Sequence, residues 1–138
     1  MGADRLISSG GPWEDAVGYS RAVVAGPFVL VSGSTATVEG QVRHPGDAYA
    51  QALEAFGVAR RALEEAGCGL ADVVRTRMYL RHGHDSDAVG RAHRELFAAI
   101  RPAATMLVVA GFVDPAMLVE VEVDAYRSEG SPTDEPRR

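Results

Sequence analysis

The sequence contains a single cysteine, Cys68, so neither an internal disulfide nor a thiolate metal cage is available, as befits a reducing compartment. No apolar run approaches the roughly 20 residues that a membrane span requires. The N-terminus lacks the basic and then apolar order of a signal peptide, so a cytoplasmic protein without membrane contact is expected. Positive charge is also in deficit. Lys and Arg number 14 against 19 Asp and Glu, a net charge of −5. Affinity for polyphosphate backbones comes from clustered cations, so nucleic acid is not expected as a partner. Internal repeats and low-complexity blocks are missing as well, which excludes a solenoid or a fibrous chain.

What is present fits one globular domain. The chain has 138 residues, 46% of them apolar and 24% charged, enough for a single core and too little for two. The domain is expected to occupy residues 1–127. The tail at 128–138, rich in Pro, Ser and charge, is expected to be disordered. The most informative stretch is Leu118-Val119-Glu120-Val121-Glu122-Val123-Asp124. Side chains of a strand alternate between faces, so three valines share one face and three carboxylates the other. The acidic face must be solvated, paired with cations or engaged in chemistry.

In chain order, residues 1–18 read as an arm broken by Gly10-Gly11-Pro12 and carrying Trp13 and Glu14, which either lid a site or pack the arm. Residues 21–25 and 28–32 flank Gly26-Pro27 as a hairpin. Ser32-Gly33-Ser34-Thr35 ends it, and Glu39-Gly40 falls in a loop running to His44. Asp47 is placed to cap a helix in which Tyr49, Leu53, Phe56, Ala59 and Leu63 recur every three or four residues, with Gly67 as its stop. Residues 73–80 form a strand with Val74, Thr76, Met78 and Leu80 on one face and Arg75, Arg77 and Tyr79 on the other. A second helix over 86–100 turns Val89, His93, Leu96, Phe97 and Ile100 inward and stops at Pro102. A strand over 104–110 precedes the acidic one.

The predicted order is therefore β-β-α-β-α-β-β, an α+β fold with two helices on one face of a mixed sheet of four or five strands. Phe28 and Leu30 oppose Val29 and Val31, and Met106 and Val108 oppose Leu107 and Val109, so two strands are apolar on both sides. Something must cover the second face, and copies of the chain are the economical answer.

Each chemistry-bearing residue carries a structural reading beside the functional one. Glu120 and Glu122 either pair with Arg75 and Arg77 across the sheet or take part in chemistry, and the alternation predicts a charged layer. His93 reads as a core residue of its helix. His82-Gly83-His84-Asp85 suggests a metal cluster but lacks a third ligand of known geometry, and reads as a solvated turn. Cys68 is an incidental thiol. Ser32, Ser34 and Thr35 have no identifiable His base, so no nucleophile is assigned. The sequence calls for neither metal nor cofactor.

Gly18-Tyr19-Ser20-Arg21-Ala22, Val31-Ser32-Gly33, the helix from Asp47 through Ala66-Gly67, Asp72-Val73-Val74-Arg75-Thr76, Arg101-Pro102-Ala103 and Val119-Glu120-Val121-Glu122 occur in the order and spacing of the RidA/YjgF family. Over about residues 15–127 the chain resembles that family. The resemblance implies a chorismate-mutase-like fold, a homotrimer with clefts between subunits, and hydrolysis of small imines or enamines such as 2-aminoacrylate to a keto acid and ammonia. It implies that Glu120 handles the proton or water, and that Tyr19, Ser32 and Gly33 line the substrate cleft. It also aligns Ala104-Thr105-Met106 with a segment in which deaminating members carry a carboxylate-gripping arginine at the position of Ala104. A methyl there replaces a five-donor fork. Thr105 and the backbone at Met106 remain to hold a smaller polar group, and Arg21 or Arg101 is the nearest replacement cation in sequence. Weak action on 2-aminoacrylate is therefore expected, and a trimeric small-molecule binder without catalysis is the alternative.

Overall fold

The computed structural model describes residues 4–128; the expected disordered tail falls outside them, Ser128 apart. The strands are β1 (Arg5–Ile7), β2 (Ala22–Ala25), β3 (Phe28–Ser34), β4 (Thr37–Val38), β5 (Gln41–Val42), β6 (Val73–Leu80), β7 (Ala103–Val108) and β8 (Val119–Tyr126), and the helices are α1 (Ala48–Glu65) and α2 (Ser86–Phe97). Six strands form one sheet in the order β1-β2-β3-β8-β6-β7, and β4 and β5 form a separate ribbon. The β6/β7 pair is parallel and its neighbours antiparallel, so the sheet is mixed. A parallel pair requires a crossover, and α2 supplies it.

Both helices lie on one face, as the α+β pattern predicts. Asp47 caps α1 by accepting from the Ala50 N–H, and Gly67, with φ at 85°, closes its other end. Helix α1 buries Phe56, Ala59 and Leu63 against Val29, Val31, Val119, Val121 and Val123. Gln51 is fully buried at the same interface. Its amide donates to the carbonyls of His44 (3.2 Å) and Ala116 (3.0 Å) and accepts from the Leu118 N–H at 2.9 Å. Those bonds fix the chain where it enters β8, and nothing in the periodicity of α1 singles out this position.

The structure departs from the sequence reading in four places. The N-terminal arm contains β1, which completes the sheet edge by pairing with β2 and buries Ile7 at 2% exposure. Residues Thr37–Val42 form a small hairpin rather than a plain loop, because Glu39 and Gly40 both take positive φ (52° and 79°), which suits a two-residue turn. In β6 the register with β8 shifts between Val73 and Arg75, so Val73 is buried and Val74 is exposed. The bulge reverses the inward assignment of Val74 while leaving Thr76, Met78 and Leu80 inside. Helix α2 ends at Phe97, short of Ile100, and Arg101 takes φ of 58° just before Pro102.

The second sheet face is partly apolar, as expected. Leu6, Phe28, Leu30 and Tyr126 are all exposed, and the Phe28 and Tyr126 rings meet edge to face at 5.3 Å.

Candidate functional site

The acidic face of β8 divides along its length. Its antiparallel register sets Asp124 opposite Arg75, Glu122 opposite Arg77 and Glu120 opposite Tyr79. Arg77 Nη1 lies 3.6 Å from Glu122 and 3.5 Å from Asp124, and Arg75 Nε lies 4.0 Å from Asp124. Tyr79 donates its hydroxyl to Glu122 at 3.0 Å. Burial, then this bond to a carboxylate, raises the Tyr79 pKa. The charged layer expected from the matched alternation is therefore present.

Glu120 stands apart from that layer. Among the described residues its half-buried carboxylate has no hydrogen bond and no ion pair within 4.0 Å. Burial raises its pKa, the neighbouring Glu122 charge raises it further, and Arg21 opposes both. A carboxyl so placed holds its proton to higher pH than a solvated one. Its place is fixed by Gly33. A Cβ at Gly33 would lie 3.0 Å from Glu120 Cδ and closer still to the carboxylate oxygen, so the missing side chain is the space the carboxyl fills. The register between β3 and β8 shifts between Val31 and Ser34, which brings the Gly33 backbone against Glu120.

Tyr19, Arg21 and Ser32 complete this patch. Arg21 Nη2 donates to the Gly33 carbonyl at 2.7 Å, and the guanidinium carbon lies 5.8 Å from the centre of the Tyr19 ring. Tyr19 is 39% exposed. The Ser32 hydroxyl donates to the Ser20 carbonyl at 2.7 Å and the Ser34 hydroxyl to the Ser32 carbonyl at 3.0 Å, so both protons are committed to the backbone.

Ala104, Thr105 and Met106 do not join Glu120 within one chain. They lie on β7, the sheet edge, with β6 between them and β8. Ala104 pairs with buried Thr76 and Met106 with buried Met78, so both point to the helix side, away from the carboxylates. Thr105 pairs with Arg77 and shares the acidic face, displaced by two strands. On the helix side, an open groove of about 450 Å³ is lined by His93, Arg94, Phe97, Ala98, Arg101 and Pro102.

The remaining sequence candidates resolve simply. His93 Nε2 shares a 2.8 Å hydrogen bond with Thr76 Oγ1, and its ring packs on Phe97 at 4.7 Å. It is half-buried at the wall of the groove rather than in the core, and burial lowers its pKa, which favours the neutral ring. His82 and His84 stack at 5.0 Å in a short helical turn before α2. Cys68 is buried. Glu14 is a structural latch that its sequence context did not disclose. It is 7% exposed, and its carboxylate accepts from the hydroxyls of Ser8 and Ser9 and the Ser9 N–H. Burial raises its pKa, but those bonds and Arg21 outweigh the effect and lower it. Trp13 beside it is 60% exposed.

Comparison with known proteins agrees with this fold. The family model described as Endoribonuclease L-PSP matches residues 13–127. An uncharacterized protein of Streptomyces coelicolor is 51% identical over 91% of this chain and 93% of its own. The 3-aminoacrylate deaminase RutC of Acinetobacter baylyi is 35% identical over 78% of this chain and 86% of its own. The crystal structure of Rv2704 from Mycobacterium tuberculosis, a member of the YjgF/YER057c/UK114 family, superposes with a TM-score of 0.80 at 43% identity, covering 88% of this chain and 98% of that one. With its mixed α+β sheet, its strand register and these relatives, the chain belongs to the RidA/YjgF family.

Proposed function

We propose that this protein hydrolyses a small imine or enamine in a cleft between subunits of a homotrimer, with Glu120 moving the proton. The observation that carries the proposal is a carboxyl kept apart from the arginines that neutralise its neighbours and pushed towards its protonated form by burial. An enamine must gain a proton at carbon to become an iminium. Water then adds to the carbon of the C=N bond, and the carbinolamine loses ammonia to leave a carbonyl. Protonated Glu120 supplies the first proton, and its carboxylate then takes one from the attacking water. Imine plus water gives carbonyl plus ammonia, so no oxidant or metal is consumed. The relative RutC, named for action on 3-aminoacrylate, supports this reaction class.

Two half-sites support the cleft. Glu120, Gly33, Ser32 and Tyr19 lie on one face of the sheet, and Ala104 and Met106 at an edge facing the other way. A pocket using both sets needs a second copy of the chain to supply one of them. Exposed Leu6, Phe28, Leu30 and Tyr126 give such copies an apolar surface to bury. Sedimentation should return three times the 14.6 kDa chain mass at micromolar concentration, and a single-chain mass would end this assembly.

The alternative, a trimeric binder without turnover, is favoured by one observation, the methyl group at Ala104. The net charge of −5 runs against RNA as the substrate despite the family's ribonuclease label. The deciding experiment generates 2-aminoacrylate enzymatically and follows keto-acid release with wild type, Glu120→Gln and Ala104→Arg. The proposal expects weak wild-type turnover that Glu120→Gln removes and Ala104→Arg increases. Absence of turnover with this enamine and with 3-aminoacrylate would leave the binder.

A further inference from the structure

The segment that leads into Tyr19 is fastened by an acid. Every residue from 12 to 19 is exposed except Glu14. Loops are ordinarily anchored by an apolar side chain, and a carboxylate is tolerated in that place only when its oxygens are satisfied. Here they are. The Ser8 hydroxyl donates to Oε1 at 2.9 Å, the Ser9 N–H reaches both oxygens at 3.3 and 3.2 Å, and the Ser9 hydroxyl donates to Oε2. Ser8 and Ser9 directly follow β1, so this cage ties the segment to the sheet edge. The Glu14 backbone is engaged as well. Its N–H donates to the Gly11 carbonyl at 3.3 Å, and its carbonyl accepts from the Tyr19 N–H at 3.0 Å, closing the turn Glu14–Gly18.

Glycines stand at both ends of the segment. Gly10 and Gly18 take φ of 77° and 92°, and among the described residues nothing lies within 4 Å of where a Cβ would be at either. The chain can therefore turn at both points without disturbing a packed side chain. Arg21 links this anchor to the candidate site, since its charge acts on both Glu14 and Glu120 while its Nη2 holds the Gly33 carbonyl.

We infer that Glu14 is a positioning residue for the site and that residues 10–18 form a hinged strap. With the carboxylate in its serine cage, the strap is closed and Tyr19 is held beside Arg21. When the cage opens, the strap swings out with Trp13 and the Tyr19 N–H loses its acceptor. This rests on the reading of Tyr19 and Glu120 as parts of one site. Burial raises the Glu14 pKa, and the serine bonds with the Arg21 charge more than offset it. The cage is thus intact above the ordinary carboxylate range and opens as pH falls through the lowered value.

Trp13 is the one tryptophan of the chain, so its fluorescence reports the strap. In full-length Glu14→Gln, an amide N–H₂ faces the cage donors, and the nanosecond loss of Trp13 anisotropy should grow roughly twofold. Exchange of the Tyr19 amide should quicken about tenfold or more, while that of Val121 in the core is unchanged. Wild type should show the same Trp13 loosening on acidification, and Glu14→Gln should not respond. Ser8→Ala with Ser9→Ala opens the cage from its other side and should reproduce these changes, which decides the matter if Glu14→Gln does not fold. With enzymatically generated 2-aminoacrylate, either variant should raise KM about three- to tenfold and change kcat less. Loosening of Trp13 and Tyr19 without turnover by wild type would uphold the strap and sink only the hydrolase reading. Unchanged Trp13 and Tyr19 in both variants, equal quickening at Val121, or a loss confined to kcat would each overturn the inference.

Discussion

Two regions of one strand differ in a way that composition does not foretell. Glu122 and Asp124 face Arg77 and Arg75 within 4.0 Å, whereas Glu120, two residues away on the same face, faces a tyrosine and the bare backbone of Gly33. The paired acids form a structural layer that binds β6 to β8. The unpaired acid bears a cost of burial that no neighbour removes, and its pKa rises in consequence. Acidity alone therefore does not distinguish the three carboxyls; the lack of a cation opposite one of them does.

The sharpest way to break this comparison is to neutralise each end in turn. Glu120→Gln should lower turnover by about 10² to 10⁴ while the fold and assembly persist, as checked by keto-acid release and sedimentation. Glu122→Gln should change activity far less, and equal losses at the two positions would erase the distinction. Gly33→Ala comes next. Its Cβ would displace the Glu120 carboxyl, which can swing aside as the end of a flexible chain, so turnover should fall on the order of 10- to 100-fold with little change in Tm. Arg77→Ala tests the other end. It leaves Asp124 to Arg75 and Glu122 to the Tyr79 hydroxyl alone, and should cost about 1 kcal/mol in urea unfolding, with modest effect on catalysis.

The smallest expected effect concerns pH. The Glu120 pKa is raised in the folded chain, so the native state holds a proton that the unfolded state has released. Stability falls as pH rises from the unfolded value through the folded one, and Glu120→Gln removes that dependence. The variant should gain Tm relative to wild type above this window and lose the advantage below it. For wild type, kcat/KM should decline as pH rises through the same ionisation, since the protonated form is the donor. A profile flat across that window would argue against Glu120 as the acid.

Much of the fold was legible because its signals are local. The Asp47 cap, the Gly67 stop and the valine alternation of β8 each depend on a few neighbouring residues, and each appears where the pattern placed it. The misses share another origin. Arg5–Ile7 reads as loop because a three-residue edge strand has almost no period of its own and exists through its pairing with β2. Val74 exchanged places with Val73 because a bulge in β6 is set by how that strand meets β8. Gln51 and Glu14 are polar residues whose partners lie at the entry to β8 or in the arm, beyond what spacing can show.

For the site, the sequence by itself determined that three carboxylates share a face, that two arginines and a tyrosine face them from another strand, and that Ala104 carries no cation. Those statements follow from a period of two and from residue identity. Which carboxylate goes unpaired was decided only by tertiary structure, through the register that sets Tyr79 opposite Glu120 and the β3 irregularity that presses Gly33 against it. The same pairing placed Arg21 beside Gly33 and turned Ala104 to the opposite side of the sheet. Alternation is fixed within a strand by backbone geometry, but register is fixed between strands by packing of the whole core, and a carboxyl's pKa responds to the second.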